Sequence, residues 1–519
     1  SYFDIMATHF QPLNDDLNNQ KSTKGYYDTK FHTDLLPNVN NSKDTESYIN
    51  EFVKKLVSFL TISNNRNEKI IDFMTPEELM KLFDFSLPDS KLSLGDLLQA
   101  VDTILKFVVK TAHPRFFNQL WAGVDVNCLL GDWMASVTNT TMFTFEMSPV
   151  YILMEKFIVE KFLTVVGYEN GDGFFFPGGS LSNMEAIVLA RHKRCPNFKR
   201  TGYNDKKLVL FTSEEAHYSI IKSAAMIGIG IDNVIIIKTD ERGKMVVSNL
   251  EVEVQKTIKN GGEPFCVCAT AGTTVVGAFD PFNEIADVCE KYNLWMHIDA
   301  CWGGASLLSK KHKHLMDGAH RADSISWNPH KMMNVLLQSS ILLTKEKDLF
   351  RVQNSLNASY LFQKDKLLYD VSWDIGDNTF QCGRHNDILK LWLMWKAKGT
   401  SGIEEQIDQA FSNAKYLSNA IKNKENFKLL FEPESCNVCF HYIPPSLLSI
   451  SDHTERTSRL SQVCPMIKKH MTLEGTLMIN YQPLKEHCNF FRMITVNPAA
   501  TQSDMDFVLE EIERLGKDL

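Results

Sequence analysis

The sequence predicts an α/β protein with a mostly parallel sheet, and three observations carry that prediction. From about residue 111 to residue 398 short apolar runs alternate with amphipathic stretches, the pattern of strands joined by crossover helices. Several of these runs end on residues capable of chemistry, at the strand ends where open α/β sheets bind ligands. After Gly399 the pattern changes to a long amphipathic stretch, two strand-like runs and a final helix. The expected organisation is therefore an N-terminal arm and helical segment over 1–110, a large α/β domain over 111–398 and a small α+β domain over 399–519.

Residues 1–40 are polar and rich in Asn and Asp and read as a poorly ordered arm. Over 46–60 the residues Ile49, Phe52, Val53, Leu56, Val57 and Leu60 recur at spacings of three and four, which makes an amphipathic helix. A helix is expected over 184–194. Strands are expected at 208–212, 234–238, 264–270, 294–299, 324–327 and 340–344. In the closing domain the pattern predicts helices over 403–423 and 503–515, with strands over 437–443 and 490–496.

With 519 residues, 44% hydrophobic and 23% charged, the composition is that of a globular protein. No stretch reaches the roughly 18 apolar residues of a membrane helix. A net charge of −8 gives no global reason to bind nucleic acid, whose phosphates demand a basic surface. The eleven cysteines include no CxxC pair, and the N-terminus lacks a charged start followed by an apolar core; a reducing, cytoplasmic location is expected. Cys266 and Cys268 alternate onto one strand face as small buried hydrophobes. The basic run Lys310-Lys311-His312-Lys313-His314 has no acidic or Cys-rich segment beside it and reads as solvated surface, not as a metal or phosphate site. No metal site is predicted.

Three segments carry chemistry. Pro177-Gly178-Gly179-Ser180-Leu181-Ser182-Asn183 precedes a helical stretch, and such a turn offers backbone N–H groups to an anion. Ser182 and Glu185 also have capping-box spacing, so the turn alone fits either role. Asp299 closes an apolar run, where a carboxylate either works on a ligand or caps the next segment. Asn328-Pro329-His330-Lys331 ends the following run; its lysine is a surface residue or, screened from water, an amine nucleophile. Together, an anion cradle, a strand-end Asp and a strand-end Lys are the parts a pyridoxal 5'-phosphate (PLP) site requires.

At these residues the sequence closely resembles the group II PLP-dependent decarboxylases, in the branch containing glutamate decarboxylase, cysteine sulfinate decarboxylase and insect aspartate 1-decarboxylase. The resemblance spans 113–519. It also rests on the motifs beginning at His113 (HPRFFNQL), His217 (HYS), Ala271 (AGTT), His297 (HIDA), Ser359 (SYLFQ) and Asn489 (NFFR). It implies fold type I, with a large PLP domain and a small C-terminal one.

The resemblance assigns roles residue by residue. Lys331 would hold PLP as a Schiff base, Asp299 would keep the pyridine nitrogen protonated, and His217 would stack on the ring. Ser180, Leu181, Ser182, Asn328 and His330 would hold the phosphate, and Thr270 and Cys301 would flank the ring; Cys301 stands where alanine is usual. Cys382 and Gly383 resemble the segment that reaches the phosphate from the neighbouring subunit, which implies a homodimer with active sites at the interface. Arg492 would grip a substrate carboxylate. Tyr360, in a mobile loop over 353–366, would protonate the carbon that loses carbon dioxide, a task suited to a phenol. Lys331, His217 and Tyr360 are thus the expected catalytic residues.

Gln119, Trp121, Thr141 and Phe143 would line the end of the site that holds the distal acid group. Glutamate decarboxylases usually carry a small residue at the position of Trp121. An indole removes volume and favours a substrate one methylene shorter, a discrimination of only ~1–3 kcal/mol. The implied activity is decarboxylation of L-aspartate to β-alanine, with cysteine sulfinate to hypotaurine as a second or even primary activity, and glutamate less favoured. Oxidative deamination on the same fold and a non-catalytic scaffold are the competing readings.

Overall fold

The computed structural model describes residues 25–38, 41–202, 206–363 and 365–519. They form two compact units divided after Lys110. The arm expected over 1–40 lies outside the described residues as far as residue 24. Its remainder is no loose arm: residues 25–38 form short 3₁₀ turns. They are held to α1 (Ser42–Ser63) by Tyr27 Oη against Ser47 Oγ at 2.8 Å and by Lys30 against Asp44 at 3.0 Å. The helix expected over 46–60 thus runs longer at both ends, because Asn41 caps it through the Asp44 N–H. Helices α2 (Pro76–Leu82) and α3 (Leu94–Phe107) complete the unit, each opened by a capping box, on Thr75 and Ser93.

The second unit opens with α4 (Val126–Thr138) and α5 (Pro149–Val166). A seven-stranded sheet follows, made of β1 (Asp172–Phe176), β2 (Leu208–Ser213), β3 (Val234–Ile237), β4 (Glu263–Thr270), β5 (Trp295–Asp299), β6 (Ser324–Trp327) and β7 (Ser340–Thr344). Its order is β1-β7-β6-β5-β4-β2-β3. The five strands from β2 to β6 pair in parallel and are mostly buried on both faces, which is why they read as continuous apolar runs. The α/β expectation holds, and the six expected strands agree with the observed ones to within a residue at either end.

Two features depart from the sequence reading. Strand β7 runs antiparallel to β6, because residues 328–339 turn back without a crossover helix. Strand β1, which the alternation did not single out, pairs antiparallel with β7 across about 170 residues of sequence; nothing local in Asp172–Phe176 announces so distant a partner. Between β1 and β2 runs α6 (Gly179–Arg194).

A helix over Ile388–Lys422 departs from helical dihedrals at Gly399 (φ 65°, ψ 177°); the helix expected over 403–423 is its second half. It leads to an antiparallel sheet of order β10-β11-β9-β8, formed by β8 (Phe427–Leu429), β9 (Asn437–Tyr442), β10 (Asn480–Leu484) and β11 (His487–Ile494). A separate apolar core around Phe440, Phe491 and Ile467 packs beneath it. The basic run at 310–314 is surface, as read: Lys310 and Lys311 pair with Glu404 and Asp408, and His312 stacks on Phe411. Cys266 and Cys268 are buried with sulfurs 3.8 Å apart. Among the described residues no helix is long and apolar enough to cross a membrane.

Candidate active site

Three parallel strands end side by side. The register pairs Thr270 with Asp299 and Asp299 with Ser326, so the C-terminal ends of β4, β5 and β6 form one row. A cavity of about 540 Å³ opens above it, lined by Trp121, Ser180, His217, Thr270, Asp299, Cys301, Asn328, His330 and Lys331 together with Pro177, Gly178, Gly179, Asn183, Tyr218, Gly272, Thr274, Trp302 and Gln338.

The turn before α6 is shaped by its glycines. Gly178 has φ 106°, a region side chains rarely adopt. A Cβ on Gly179 would come within 2.5 Å of Cys301 Sγ and 2.8 Å of Asn328 Nδ2. Only glycine lets the N-terminus of α6, with its unpaired N–H groups, come this close to the ends of β5 and β6. Asn328 contributes a buried amide whose Nδ2–H can donate to an anion.

Charge is arranged around Asp299. Burial raises its carboxyl, but Lys331, a hydrogen bond from Cys301, His217 and His297 together outweigh burial and hold it below its ordinary range. His217 is pushed down by burial and by Lys331, against the pull of Asp299, so its neutral form is favoured. His330 is pushed down to about 4, chiefly by burial.

Several expected site residues lie outside this cavity. Ser182 is fully buried and its hydroxyl is engaged with Ser340 Oγ at 2.8 Å, so it ties α6 to β7; Leu181 packs with the apolar core beside it. Gln119 is exposed. Arg492 sits behind the wall: Nη1 donates to Thr274 O at 3.0 Å and Nη2 to Asn118 O at 3.2 Å, while Nε is buried without a partner. Thr141, Phe143, Cys382 and Gly383 gather elsewhere, where Gly376 N–H donates to Phe143 O at 2.8 Å and Met142 N–H to Arg384 O at 3.0 Å. Tyr360 is 79% exposed. Tyr360, Cys382 and Gly383 come from a long excursion between β7 and the helix at Ile388–Lys422, and Thr141 and Phe143 from the connection between α4 and α5; no strand register ties them to the cavity of their own chain.

One residue the sequence reading passed over is central. Asn183 is 1% exposed and bonds Asp299 Oδ2 at 2.8 Å. The available signal was its spacing from Ser180: three apart on a helix share a face.

The residues present fit PLP. An anion cradle stands at the turn and the Asn328 amide, an ionised carboxylate lies at a strand end for a pyridine nitrogen, and a lysine amine faces the same space. The comparisons agree. Residues 76–443 match the model of the pyridoxal-dependent decarboxylase conserved domain. The crystal structure of mouse CSAD superposes with TM-score 0.90 at 45% identity, covering 92% of this chain and 100% of that one. Fold alone is shared with the glutamate decarboxylase domain of a Vibrio parahaemolyticus diaminobutyrate-pyruvate transaminase and L-2,4-diaminobutyrate decarboxylase (TM-score 0.80, 22% identity, 96% of this chain and 100% of that one). The same holds for Oryza sativa TDC with PLP and tryptamine (TM-score 0.82, 20% identity, 92% and 98%). The chain belongs to the pyridoxal-dependent decarboxylases, carboxy-lyases that act on amino acids with PLP as cofactor.

Proposed function

We propose that the protein decarboxylates short acidic amino acids, converting L-aspartate to β-alanine and cysteine sulfinate to hypotaurine. The observation that carries this reading is the position of Trp121. Its indole lines both the main cavity and a neighbouring one of about 260 Å³, so it is a shared wall that shortens the space for a substrate side chain. Arg492, bonded to Thr274 O and Asn118 O behind the cavity wall, would have to turn into the cavity to meet a carboxylate or sulfinate, for which its guanidinium is suited. The 45% identity to mouse CSAD, a cysteine sulfinic acid decarboxylase, supports the sulfinate activity.

In this reading Lys331 is the covalent attachment point for PLP. Ser180, Asn328 and the first N–H groups of α6 hold the phosphate. Asp299 stabilises a proton on the ring nitrogen, and His217 lies against the ring. PLP, when bound, supplies the sink for the electron pair left by departing carbon dioxide. Tyr360 Oη gives a proton to the substrate Cα. The loop around Tyr360 also exposes Leu367 (99%), Leu368 (90%) and Phe380 (73%). An apolar surface of that kind is suited to cover a second copy of the chain; we assign Tyr360, Thr141, Phe143, Cys382 and Gly383 to the partner's site in a homodimer.

The test is a competition. PLP-loaded enzyme receives equal aspartate, cysteine sulfinate and glutamate, and the amine products are quantified. β-Alanine and hypotaurine are expected to dominate; dominant γ-aminobutyrate would overturn the argument from Trp121.

A further inference from the structure

Beneath the cavity runs a chain of buried hydrogen bonds whose polarity is fixed. The Asp299 carboxylate can only accept, and it takes the Asn183 Nδ2–H at 2.8 Å. Asn183 Oδ1 is thereby left to accept, from Ser326 Oγ at 2.7 Å and from His297 Nε2 at 3.0 Å. Burial pushes His297 down to about 4, so the ring is neutral and its other nitrogen, Nδ1, accepts from Ser324 Oγ at 2.9 Å. Ser324 in turn receives the Trp295 indole N–H at 2.9 Å, a group that can only donate. The chain closes without conflict.

The second Asn183 N–H reaches Ser219 Oγ at 3.1 Å. Ser219 Oγ then donates to His217 Nδ1 at 2.8 Å, and the Ser219 backbone N–H points at the same nitrogen from 3.3 Å. With Nδ1 accepting twice, the network assigns the proton of neutral His217 to Nε2. Asn183, Ser219, His297, Ser324 and Ser326 are each at most 1% exposed, so water does not compete for these bonds.

We propose that Asn183 is a positioning residue: its amide holds the Asp299 carboxylate and, through Ser219, fixes His217 in the tautomer that carries its proton on Nε2. This rests on the reading of Asp299 and His217 as cofactor contacts. One amide therefore sets two groups, one at the strand end and one on the neighbouring loop.

The test uses holoenzyme carrying Asn183→Ala, Ser219→Ala or both, with Asp299→Asn as control. The readouts are the PLP dissociation constant, the visible absorbance of bound cofactor, kcat and KM. Asn183→Ala leaves Asp299 short of a donor, and PLP affinity is expected to fall roughly 10-fold, with an absorbance change in the direction given by Asp299→Asn. Ser219→Ala spares Asp299; affinity and spectrum stay at wild type, while kcat falls roughly 10-fold at unchanged KM. In the double variant kcat falls no further than in Asn183→Ala, since both act through one chain of bonds. Wild-type affinity and spectrum in Asn183→Ala, or wild-type kcat in Ser219→Ala, overturns the proposal. The Ser219 variant decides alone if Asn183→Ala fails to fold. An Asp299→Asn enzyme with unchanged spectrum and affinity removes the reading of Asp299 and the proposal with it; an altered Asp299→Asn beside an unchanged Asn183→Ala removes only the proposal.

Discussion

The floor of the cavity and the excursion over residues 355–383 are built on opposite principles. In the floor, Thr270, Asp299 and Ser326 stand in strand register, and each polar atom of Asn183 is bonded inside the chain. In the excursion, Tyr360, Leu367 and Phe380 point to solvent. Its organisation is local and lies away from Tyr360: Ser355, Leu356 and Asn357 bond Asp377, Lys366 and Tyr369 bond Asp374, and Arg384 forms a bidentate pair with Glu155 at 2.7 and 2.8 Å, both side chains under 5% exposed. A region whose polar groups are all satisfied internally is preorganised. A region with apolar side chains in water is waiting for a surface. On the proposed reading, one chain would complete the cofactor's floor and a second copy would supply its roof.

That contrast can be broken most severely at Tyr360. Tyr360→Phe is expected to lower kcat on the order of 10²- to 10⁴-fold while shifting unfolding free energy by less than about 0.5 kcal/mol, as befits an exposed site. Loss of stability comparable to the loss of rate would make Tyr360 a packing residue. At the base of the roof the balance reverses. Glu155→Gln strands the buried Arg384 guanidinium, and urea unfolding should show a loss of about 3–5 kcal/mol. A loss under 1 kcal/mol would mean that water reaches the pair.

Acid probes the floor. His330 is held at about 4, chiefly by burial and then by Lys331, against about 6.5 for an ordinary histidine. Between these values the unfolded chain binds more protons than the folded one, so this residue's contribution is present above about pH 6.5 and is lost as pH falls towards 4. In His330→Gln the stability difference between pH 7 and pH 4, read from urea midpoints, should shrink by up to about 3 kcal/mol. An unchanged difference would show that His330 takes up its proton as readily in the folded protein as in the unfolded chain. The smallest effect is specificity: Trp121→Ala should raise kcat/KM for glutamate relative to aspartate by ~1–3 kcal/mol, or roughly 10- to 200-fold. No change would place the side-chain pocket elsewhere.

The same contrast explains what the sequence discloses. Strands β4, β5 and β6 are legible because a parallel strand buried on both faces must be apolar throughout, and Asp299 and Lys331 stand out as polar residues that end or follow such runs. Asn183 is harder to see, since a mid-helix Asn is ordinary until the sheet it faces is known. Ser182 looks like a ligand in the turn, but its partner, Ser340, lies more than 150 residues away. The roof is least legible. Thr141, Phe143, Cys382 and Tyr360 could be linked to a site only through resemblance, because no periodicity says which cavity an exposed segment will cover.

The direct measurement is subunit complementation. Lys331→Ala and Tyr360→Phe chains are co-expressed with different tags, and the mixed dimer is purified through both. If one chain's Tyr360 serves its partner's Lys331, each mixed dimer has one complete site of two and should show about half the wild-type kcat per dimer. Activity no higher than that of the two parent variants would contradict the account and return Tyr360 to the cavity of its own chain.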